Sequence, residues 1–317
     1  MEAAVPDDGS ARVPARNGSL AVTVFRLLRV DHWLKNGFTF AGVLFSGRFL
    51  DPSSIMAAAS AFALFSAAGS AVYIQNDITD LDSDRRHPTK RNRPIAAGVV
   101  PLPVARVVQV ALLAVSLGLA LRLDPRIFEL IAAYVVLNVS YSLWLKHVVI
   151  VDVMVIAVGF VLRVVAGCVV IDIAPSQWIV LCAFMLALYL GFGKRRQELV
   201  LMQDRADYRR PVLDDYGLRF LDQLMVIVSA VTIVCYILFT MWPDTIARHG
   251  TANLVYTVPF VMYGMFRFDW LVHHRKGGDP TRALLTDPHL IATVVLWALV
   301  AGMILGPGWR GEPLPPP

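Results

Sequence analysis

Long stretches without charge constrain this chain more than any other feature of its sequence. The segment 55–74 contains no charged residue, and the segment 220–242 contains only Asp222 near its start. About 20 consecutive apolar residues are enough to cross the hydrocarbon core of a bilayer as a helix. With 56% hydrophobic and 17% charged residues over 317 positions, the chain is also more apolar than a typical water-soluble domain. The sequence therefore predicts an all-α protein that crosses a membrane several times.

Nine apolar segments can be placed along the chain. They cover residues 24–46, 53–76, 101–121, 127–145, 149–171, 177–193, 220–242, 252–271 and 289–306. Proline, which is tolerated in the first turn of a helix, stands at or near the start of four segments: Pro52, Pro101, Pro125 and Pro175. We therefore divide the chain into a disordered tail at 1–20, one transmembrane domain at 21–306 and a Pro-rich tail at 307–317.

The distribution of Lys and Arg predicts how the nine segments are oriented. Most of the 29 Lys and Arg residues lie in the N-terminal flank and in the connections after the second, fourth, sixth and eighth segments. Cytoplasmic loops of membrane proteins are enriched in these residues. The pattern predicts an N-terminus in the cytoplasm and a C-terminus outside, with the even-numbered connections on the cytoplasmic side.

The stretch 75–98, with the sequence QNDITDLDSDRRHPTKRNRPIAAG, follows the second segment and carries most of the candidate chemistry. Asp77, Asp80 and Asp84 are spaced by three and four residues, which predicts one face of a helix. Three carboxylates on one face repel each other unless a cation compensates them. An all-oxygen set suits a hard ion such as Mg²⁺, and the adjacent Asn76 is a further candidate ligand. A solvated loop entrance is the alternative, but ionisable groups at a membrane boundary are usually functional.

A run of cations follows these acids directly. It comprises Arg85, Arg86, Lys90, Arg91 and Arg93. A metal held by the acids, next to these cations, would neutralise a diphosphate group. We therefore predict that Asp77, Asp80 and Asp84 are the catalytic acids of a Mg²⁺-dependent reaction on a diphosphate.

Candidate substrate-binding residues are also present outside this stretch. They are Lys35, Tyr141, Lys146, Arg163, Lys194, Arg195, Glu198 and Arg267. Lys35 could reach a phosphate or extend toward lipid headgroups, and Lys194 could equally belong to a basic cluster that ends a helix. Arg163 lies inside an apolar segment, so it should face a cavity or a partner within the protein. Arg29, His32 and Asn36 are predicted to share one helical face.

The pattern of Asn76, Asp77, Asp80 and Asp84 on the second segment resembles the first Asp-rich motif of the UbiA superfamily of intramembrane prenyltransferases. The resemblance extends over about residues 25–306 and is greatest for the decaprenyl-phosphate phosphoribosyltransferase branch. The segments that carry it are WLKN at 33–36, HPTKRNRPIAAG at 87–98, GKR at 193–195 with Glu198, and YGMFR at 263–267.

One position departs from the wider superfamily. Most members have a second acidic motif, Asp-x-x-x-Asp, after the sixth helix, whereas this chain has Lys194 and Glu198 at the two acidic positions. A Lys in place of an Asp exchanges a metal ligand for a phosphate-binding cation. The exchange suits a donor with an additional phosphate, such as 5-phosphoribosyl 1-diphosphate.

The resemblance implies a fold and a reaction. The fold would be a nine-helix bundle in a bacterial plasma membrane with a polar cavity that faces the cytoplasm. The enzyme would transfer the 5-phosphoribosyl group from 5-phosphoribosyl 1-diphosphate to a decaprenyl-like polyprenyl phosphate, for cell-envelope glycan precursors. The three acids and Asn76 would hold Mg²⁺, and Lys90, Arg91 and Arg93 would neutralise the leaving diphosphate. Lys194 and Arg195 would hold the 5-phosphate, and Lys35 or Arg267 the lipid phosphate.

Two alternatives remain open from the sequence. The first is a conventional prenyltransferase that uses a polyprenyl diphosphate and an aromatic acceptor. The second is a carrier that binds polyprenyl phosphate without chemistry, which would leave the three acids without a purpose. No nucleic acid is expected as a partner, and the sequence sets neither the prenyl chain length nor the number of subunits in a homo-oligomer.

Overall fold

The computed structural model describes residues 19–87, 89–201, 215–274 and 286–306. Every regular element within these ranges is helical, so the all-α prediction is confirmed. The α-helices are α1 (Leu20–Leu28), α2 (Ala41–Phe45), α3 (Pro52–Thr79), α4 (Leu81–Arg86), α5 (Leu102–Leu123), α6 (Pro125–Leu143), α7 (Val151–Val169), α8 (Gln177–Leu201), α9 (Leu218–Met241), α10 (Pro243–His249), α11 (Val258–His274) and α12 (Pro288–Leu305). A 3-10 helix, Val30–Phe40, joins α1 to α2. The tails predicted at the two ends lie, apart from residues 19 and 20, outside the described residues.

Each of the nine apolar segments coincides with helical structure in the described ranges. Seven helices are long and apolar enough to cross a membrane, namely α3, α5, α6, α7, α8, α9 and α12. The first predicted segment is instead broken into α1, the 3-10 helix and α2, because Arg29 adopts a left-handed backbone with φ 50°. The eighth corresponds to α11, which has 17 residues. The count of nine spans and their orientation stay predictions.

Three of the described helices begin at an Asp-Pro pair. The side chains of Asp51, Asp124 and Asp287 accept backbone N–H groups in the first turns of α3, α6 and α12, and the proline that follows each occupies the first helical position. The carboxylate satisfies a donor that has no partner inside the helix, and proline has no N–H to leave unsatisfied. The helix starts predicted at Pro52 and Pro125 are therefore confirmed, with a physical cause for each.

Helix α7 contributes to two hydrophobic cores. Near its start, Val153 packs with residues of α8, α9 and α11, including the buried Phe268. Near its end, Ala166 packs with residues of α3, α5 and α6, including Phe65 and Ile131. Arg163, which is buried, lies along α7 between these two contacts.

Candidate active site

The three acids of the 75–98 stretch lie where α3 meets α4. Asp77 is in the last turns of α3, Asp80 stands between the two helices, and Asp84 is in α4. Asp77 and Asp84 are buried, whereas the side chain of Asp80 is 37% exposed. The helix interruption at Asp80 separates it from the other two, so the predicted common face brings together only Asp77 and Asp84.

Arg93 joins Asp77 and Asp84. Its Nη1 donates to Asp77 Oδ1 at 3.1 Å and to Asp84 Oδ2 at 2.5 Å. Arg29 also donates to Asp77 Oδ1, from a position 48 residues earlier in the chain. Arg93 is one of the predicted site residues, whereas the contact between Arg29 and Asp77 was not predicted. No local pattern relates residues so far apart in the sequence.

The end of α6 contacts the same acidic segment. Lys146, in the 3-10 turn Leu145–His147, donates to Asp80 Oδ1 at 3.0 Å. The Ser142 hydroxyl donates to Asn76 Oδ1. Two predicted site residues, Lys146 and Asn76, are thus brought to the acids, and each of the three acids has a cationic neighbour in the structure.

The donor chemistry of this acid group fits a hard divalent cation. In the part of the chain that the structure describes, no three His, Cys, Asp or Glu side chains converge as a metal cluster. Asp77 and Asp84 nevertheless converge on one guanidinium nitrogen, so two carboxylates are already arranged around a positive charge. Carboxylate and amide oxygens are ligands that Mg²⁺ accepts, and it commonly keeps several waters when bound through one or two carboxylates.

The basic run that follows α4 is organised by His87. The His87 Nδ1 accepts the backbone N–H groups of Thr89 and Lys90 at 3.2 and 3.3 Å. Lys90 is half-buried and Arg91 is exposed. Desolvation by burial, reinforced by the charge of Lys90, lowers the pKa of His87 below its ordinary value. A neutral ring that accepts two N–H groups therefore sets the path of this loop.

A second cationic group surrounds Tyr73 of α3. The guanidinium of Arg29 lies 4.7 Å from the centre of the Tyr73 ring, and the Tyr73 hydroxyl is 3.4 Å from His32 Nδ1. Lys35 Nζ lies 3.3 Å from the same His32 nitrogen. The charge of Lys194 acts on both Tyr73 and His32. Lys35 therefore contacts His32, and Lys194 lies within electrostatic range of the same ring although its segment is far away in sequence.

The 3-10 helix explains which of its side chains meet. Residues three apart eclipse each other in a 3-10 helix, and His32 and Lys35 have this spacing. The predicted α-helical face through Arg29, His32 and Asn36 is wrong, because the left-handed Arg29 ends α1 and a different helix type follows. Asn36 turns instead toward the interior, where it is buried.

Arg163 is held inside the bundle. Its Nε donates to Asn36 Oδ1 at 2.6 Å, its Nη1 to the Gly159 carbonyl at 2.6 Å, and its Nη2 to the Tyr134 hydroxyl at 3.0 Å. One turn further along α7, a Cβ at Gly167 would overlap a backbone carbonyl of the 3-10 helix, so glycine permits this close approach. The expectation that Arg163 faces partners within the protein agrees with these contacts, and all three of its nitrogens donate to protein atoms.

Arg195 is also buried, with 2% of its side chain exposed. Its Nε donates to Asp152 at 2.6 Å, its Nη1 to Glu198 at 2.8 Å and its Nη2 to the Tyr141 hydroxyl at 3.2 Å. Each guanidinium nitrogen thus has a protein acceptor. Arg195 is thus buried and bound by protein acceptors, one of them the half-buried Tyr141. The substrate-binding roles predicted for Arg195 and Tyr141 stay predictions.

Arg267 forms the junction between α11 and α12. Its Nε and Nη2 donate to the two carboxylate oxygens of Asp287 at 3.2 and 2.9 Å. Its guanidinium also lies 4.6 Å from the centre of the Trp270 ring. Since Asp287 is the residue that caps α12, the structure gives Arg267 a framework contact that differs from the predicted one with a lipid phosphate.

Sequence comparison relates this arrangement to known proteins. The chain matches the UbiA prenyltransferase family over residues 37–294. The chain belongs to the UbiA prenyltransferase family. It is 32% identical over 298 residues to the decaprenyl-phosphate phosphoribosyltransferase of Corynebacterium glutamicum, covering 92% of this chain and 88% of that protein. It is 32% identical over 288 residues to the protein of the same name from Mycobacterium tuberculosis, covering 90% and 94%.

Solved UbiA structures share the fold. A UbiA homolog from Archaeoglobus fulgidus bound to GPP and Mg²⁺ superimposes with a TM-score of 0.68 and 20% sequence identity, over 89% of this chain and 99% of that one. At this identity the likeness establishes the fold.

Proposed function

We propose that this UbiA-family protein transfers the 5-phosphoribosyl group of 5-phosphoribosyl 1-diphosphate to a polyprenyl phosphate and releases diphosphate. The observation that supports this proposal is that the acid group lies next to the cationic group around Tyr73. Arg29 contacts both Asp77 of the acid group and Tyr73 of the cationic group, which includes Lys194. A donor with a diphosphate at one end of a ribose and a phosphate at the other requires both. The names of the bacterial relatives support the same reaction.

The acid group would take the diphosphate end of the donor. Asp77 and Asp84, with Asp80 and Asn76, would hold Mg²⁺, which supplies positive charge to stabilise the diphosphate as it leaves. Lys90, Arg91 and Arg93 would share that charge. Arg93 is the best placed of the three, because it already lies between two of the acids.

The cationic group would take the remaining phosphates. We assign the 5-phosphate of the donor to Lys194 and the phosphate of the lipid to Lys35, and leave Arg195, Tyr141, Arg163 and Arg267 as the framework. Lys146 and Glu198 would lie at the edge of the donor site, where Lys146 contacts Asp80 and Glu198 contacts Arg195. Lys35 and Lys194 lie on different elements, the 3-10 helix and α8, so the spacing of these cations depends on the bundle.

The reaction needs little proton chemistry. The bond between the anomeric carbon and the diphosphate oxygen breaks, and an oxygen of the lipid phosphate forms the new bond to that carbon. The attacking phosphate is already an anion, so no strong general base is required. Catalysis would come mainly from holding the two anions close together and from stabilising the departing charge.

The proposal includes a location for the reaction. The lipid acceptor would enter laterally from the membrane, and the soluble donor would arrive from the cytoplasm, as the distribution of Lys and Arg predicts. The membrane would be the bacterial plasma membrane, and the product would serve cell-envelope glycan synthesis.

The decisive experiment mixes the purified protein with 5-phosphoribosyl 1-diphosphate, Mg²⁺ and polyprenyl phosphate and measures the diphosphate released. Release that requires all three supports the proposal. Turnover only with a prenyl diphosphate and an aromatic acceptor would overturn it.

The substitution Lys194→Ala tests which phosphate this lysine binds. We expect the KM for the donor to rise about tenfold or more, because a hydrogen bond from a charged group is lost, while the KM for the lipid changes little. Steady-state kinetics with each substrate varied in turn measures both values. Arg85→Ala is the matched control, since Arg85 is an exposed cation that pairs with Asp82. An equal rise in both KM values would refute the assignment of Lys194 to the 5-phosphate.

The pH dependence of donor binding should reveal the role of His87. Because its pKa is lowered in the folded loop, the neutral ring stabilises this loop above the ordinary value of 6.5, and the contribution is lost as the pH falls through the lowered pKa. We therefore expect the donor KM to rise on acidification below about pH 6.5. His87→Asn offers an amide oxygen to the same N–H groups and should reduce this rise. Superimposable pH profiles of the two proteins would contradict the idea, since titration of the donor itself is common to both.

A further inference from the structure

A buried charge network connects α7, α8 and the segment before α9. Asp152 is fully buried, and both of its carboxylate oxygens are used. Oδ2 accepts from Arg195 Nε at 2.6 Å, and Oδ1 accepts from the Tyr216 hydroxyl at 2.7 Å. The Tyr216 hydroxyl in turn accepts the backbone N–H of Ile150 at 2.6 Å. Tyr216 is thus the outermost member of a chain of contacts that leads to Arg195.

The Tyr216 hydroxyl supports an unusual backbone conformation. Ile150, just before α7, has φ 69°, which a β-branched residue rarely adopts. The Tyr216 hydroxyl binds its N–H while it donates to Asp152, so one side chain fixes both the entry to α7 and the carboxylate in its first turn. Burial, followed by the hydrogen bond to Asp152, raises the pKa of Tyr216 above its ordinary value, which keeps the hydroxyl protonated as a donor.

This network reaches the donor site along two paths. Through Arg195 it reaches Glu198, whose Oε2 accepts from Nη1 at 2.8 Å, and it orients the turn of α8 that carries Lys194. Along the backbone, the connection that contains Ile150 begins with the turn of Lys146, which donates to Asp80. The groups that would bind the two ends of the donor are therefore both linked to Tyr216.

We propose that Tyr216 is a positioning residue for donor binding: its hydroxyl fixes Asp152, Asp152 fixes Arg195, and Arg195 orients Glu198 at the donor site. This inference rests on the proposed function, because it assigns Glu198 to the donor side of the reaction. Removing the hydroxyl leaves Arg195 as the remaining side-chain partner of Asp152 among the described residues and frees the Ile150 turn. Arg195 then adjusts toward Asp152, and its contact with Glu198 changes.

The test is Tyr216→Phe, which removes one oxygen atom and keeps the ring. We expect the KM for the donor to rise about tenfold, with little change in the KM for the lipid. Tm should fall as well, because the buried Asp152 carboxylate and the Ile150 N–H each lose a hydrogen-bond partner. The matched control is Tyr189→Phe, because Tyr189 is also a buried tyrosine whose hydroxyl donates to a backbone carbonyl, that of Met265, outside the network. This control should leave the donor KM unchanged.

A double-mutant cycle separates positioning from general stability. If Tyr216 acts through Glu198, the effect of Tyr216→Phe on the donor KM should largely disappear in a Glu198→Gln background. Additive effects in the cycle, or an equal rise in both KM values, would overturn the proposal. Should Tyr216→Phe not fold, Tyr141→Phe removes the contact to Arg195 Nη2 and is carried through the same cycle. Turnover of the wild-type protein is measured first. If the protein uses another donor, the proposed function fails, and the double-mutant cycle is then measured with that donor.

Discussion

Replacing Asp80 with asparagine should lower kcat by roughly a hundredfold to a thousandfold, the range seen when one electrostatic contact to a transition state is removed. The dependence on Mg²⁺ should also weaken, because one charged ligand is lost. Asp80 is the best acid for this test, since its side chain is 37% exposed and pairs only with Lys146 among the contacts of the described residues. Partly exposed pairs contribute about 1 kcal/mol or less to stability, so the fold should survive. Rates at increasing Mg²⁺ concentration, with Tm alongside, measure the effect.

The matched control for this prediction lies two residues away. Asp82 is in α4, its side chain is 91% exposed, and its ion pair with Arg85 is a loose one at 3.9 Å. Asp82→Asn removes the same charge from the first turn of α4, next to Asp80, and should change neither kcat nor the Mg²⁺ requirement. If Asp80→Asn behaved like this control, the assignment of a metal to the acid group would be wrong.

Local sequence patterns predicted the elements that local physics determines. Charge-free runs gave the helices, and proline gave two of their starts, at Pro52 and Pro125. The spacing of Asp77, Asp80 and Asp84 identified the acid group, although the interruption at Asp80 was not predicted. That interruption depends on the junction with α4, which no periodicity of three or four can reveal.

Contacts between distant segments could not be predicted from the sequence. Arg29 and Asp77 are 48 residues apart, and Arg195 and Asp152 are 43 apart, so no spacing rule relates them. Lys194 and Arg195 are adjacent and both cationic, yet only the structure shows that Arg195 is engaged in a buried ion pair. The sequence identified the basic cluster and could not tell which of its cations is buried in an ion pair.

Whether Arg163 stabilises the fold or binds a substrate can be tested by measuring the stability of a variant. Arg163→Met should lower the free energy of unfolding by on the order of 3 kcal/mol or more, because three buried acceptors lose a charged donor. Asn36, Gly159 and Tyr134 provide those acceptors. Methionine keeps most of the side-chain length and removes only the hydrogen bonds and the charge. Thermal unfolding in detergent, followed by tryptophan fluorescence, measures the effect, which should be a fall of several degrees in Tm.

Exposure, rather than the number of short contacts, should determine the size of this effect. Arg126 donates to Asp124 and Asp172 at 2.6 Å, but 55% of its side chain is exposed, so water replaces these contacts readily and Arg126→Met should leave Tm nearly unchanged. Water cannot replace the contacts of Arg163 in this way, because Arg163 is 7% exposed and lies against aromatic rings. If Arg163→Met kept the wild-type Tm and instead raised the KM for the lipid, Arg163 would be a ligand of the lipid phosphate, which would agree with its place among the candidate substrate-binding residues. A fall in Tm with an unchanged lipid KM in the remaining folded protein would assign it to the framework that holds the 3-10 helix against α7.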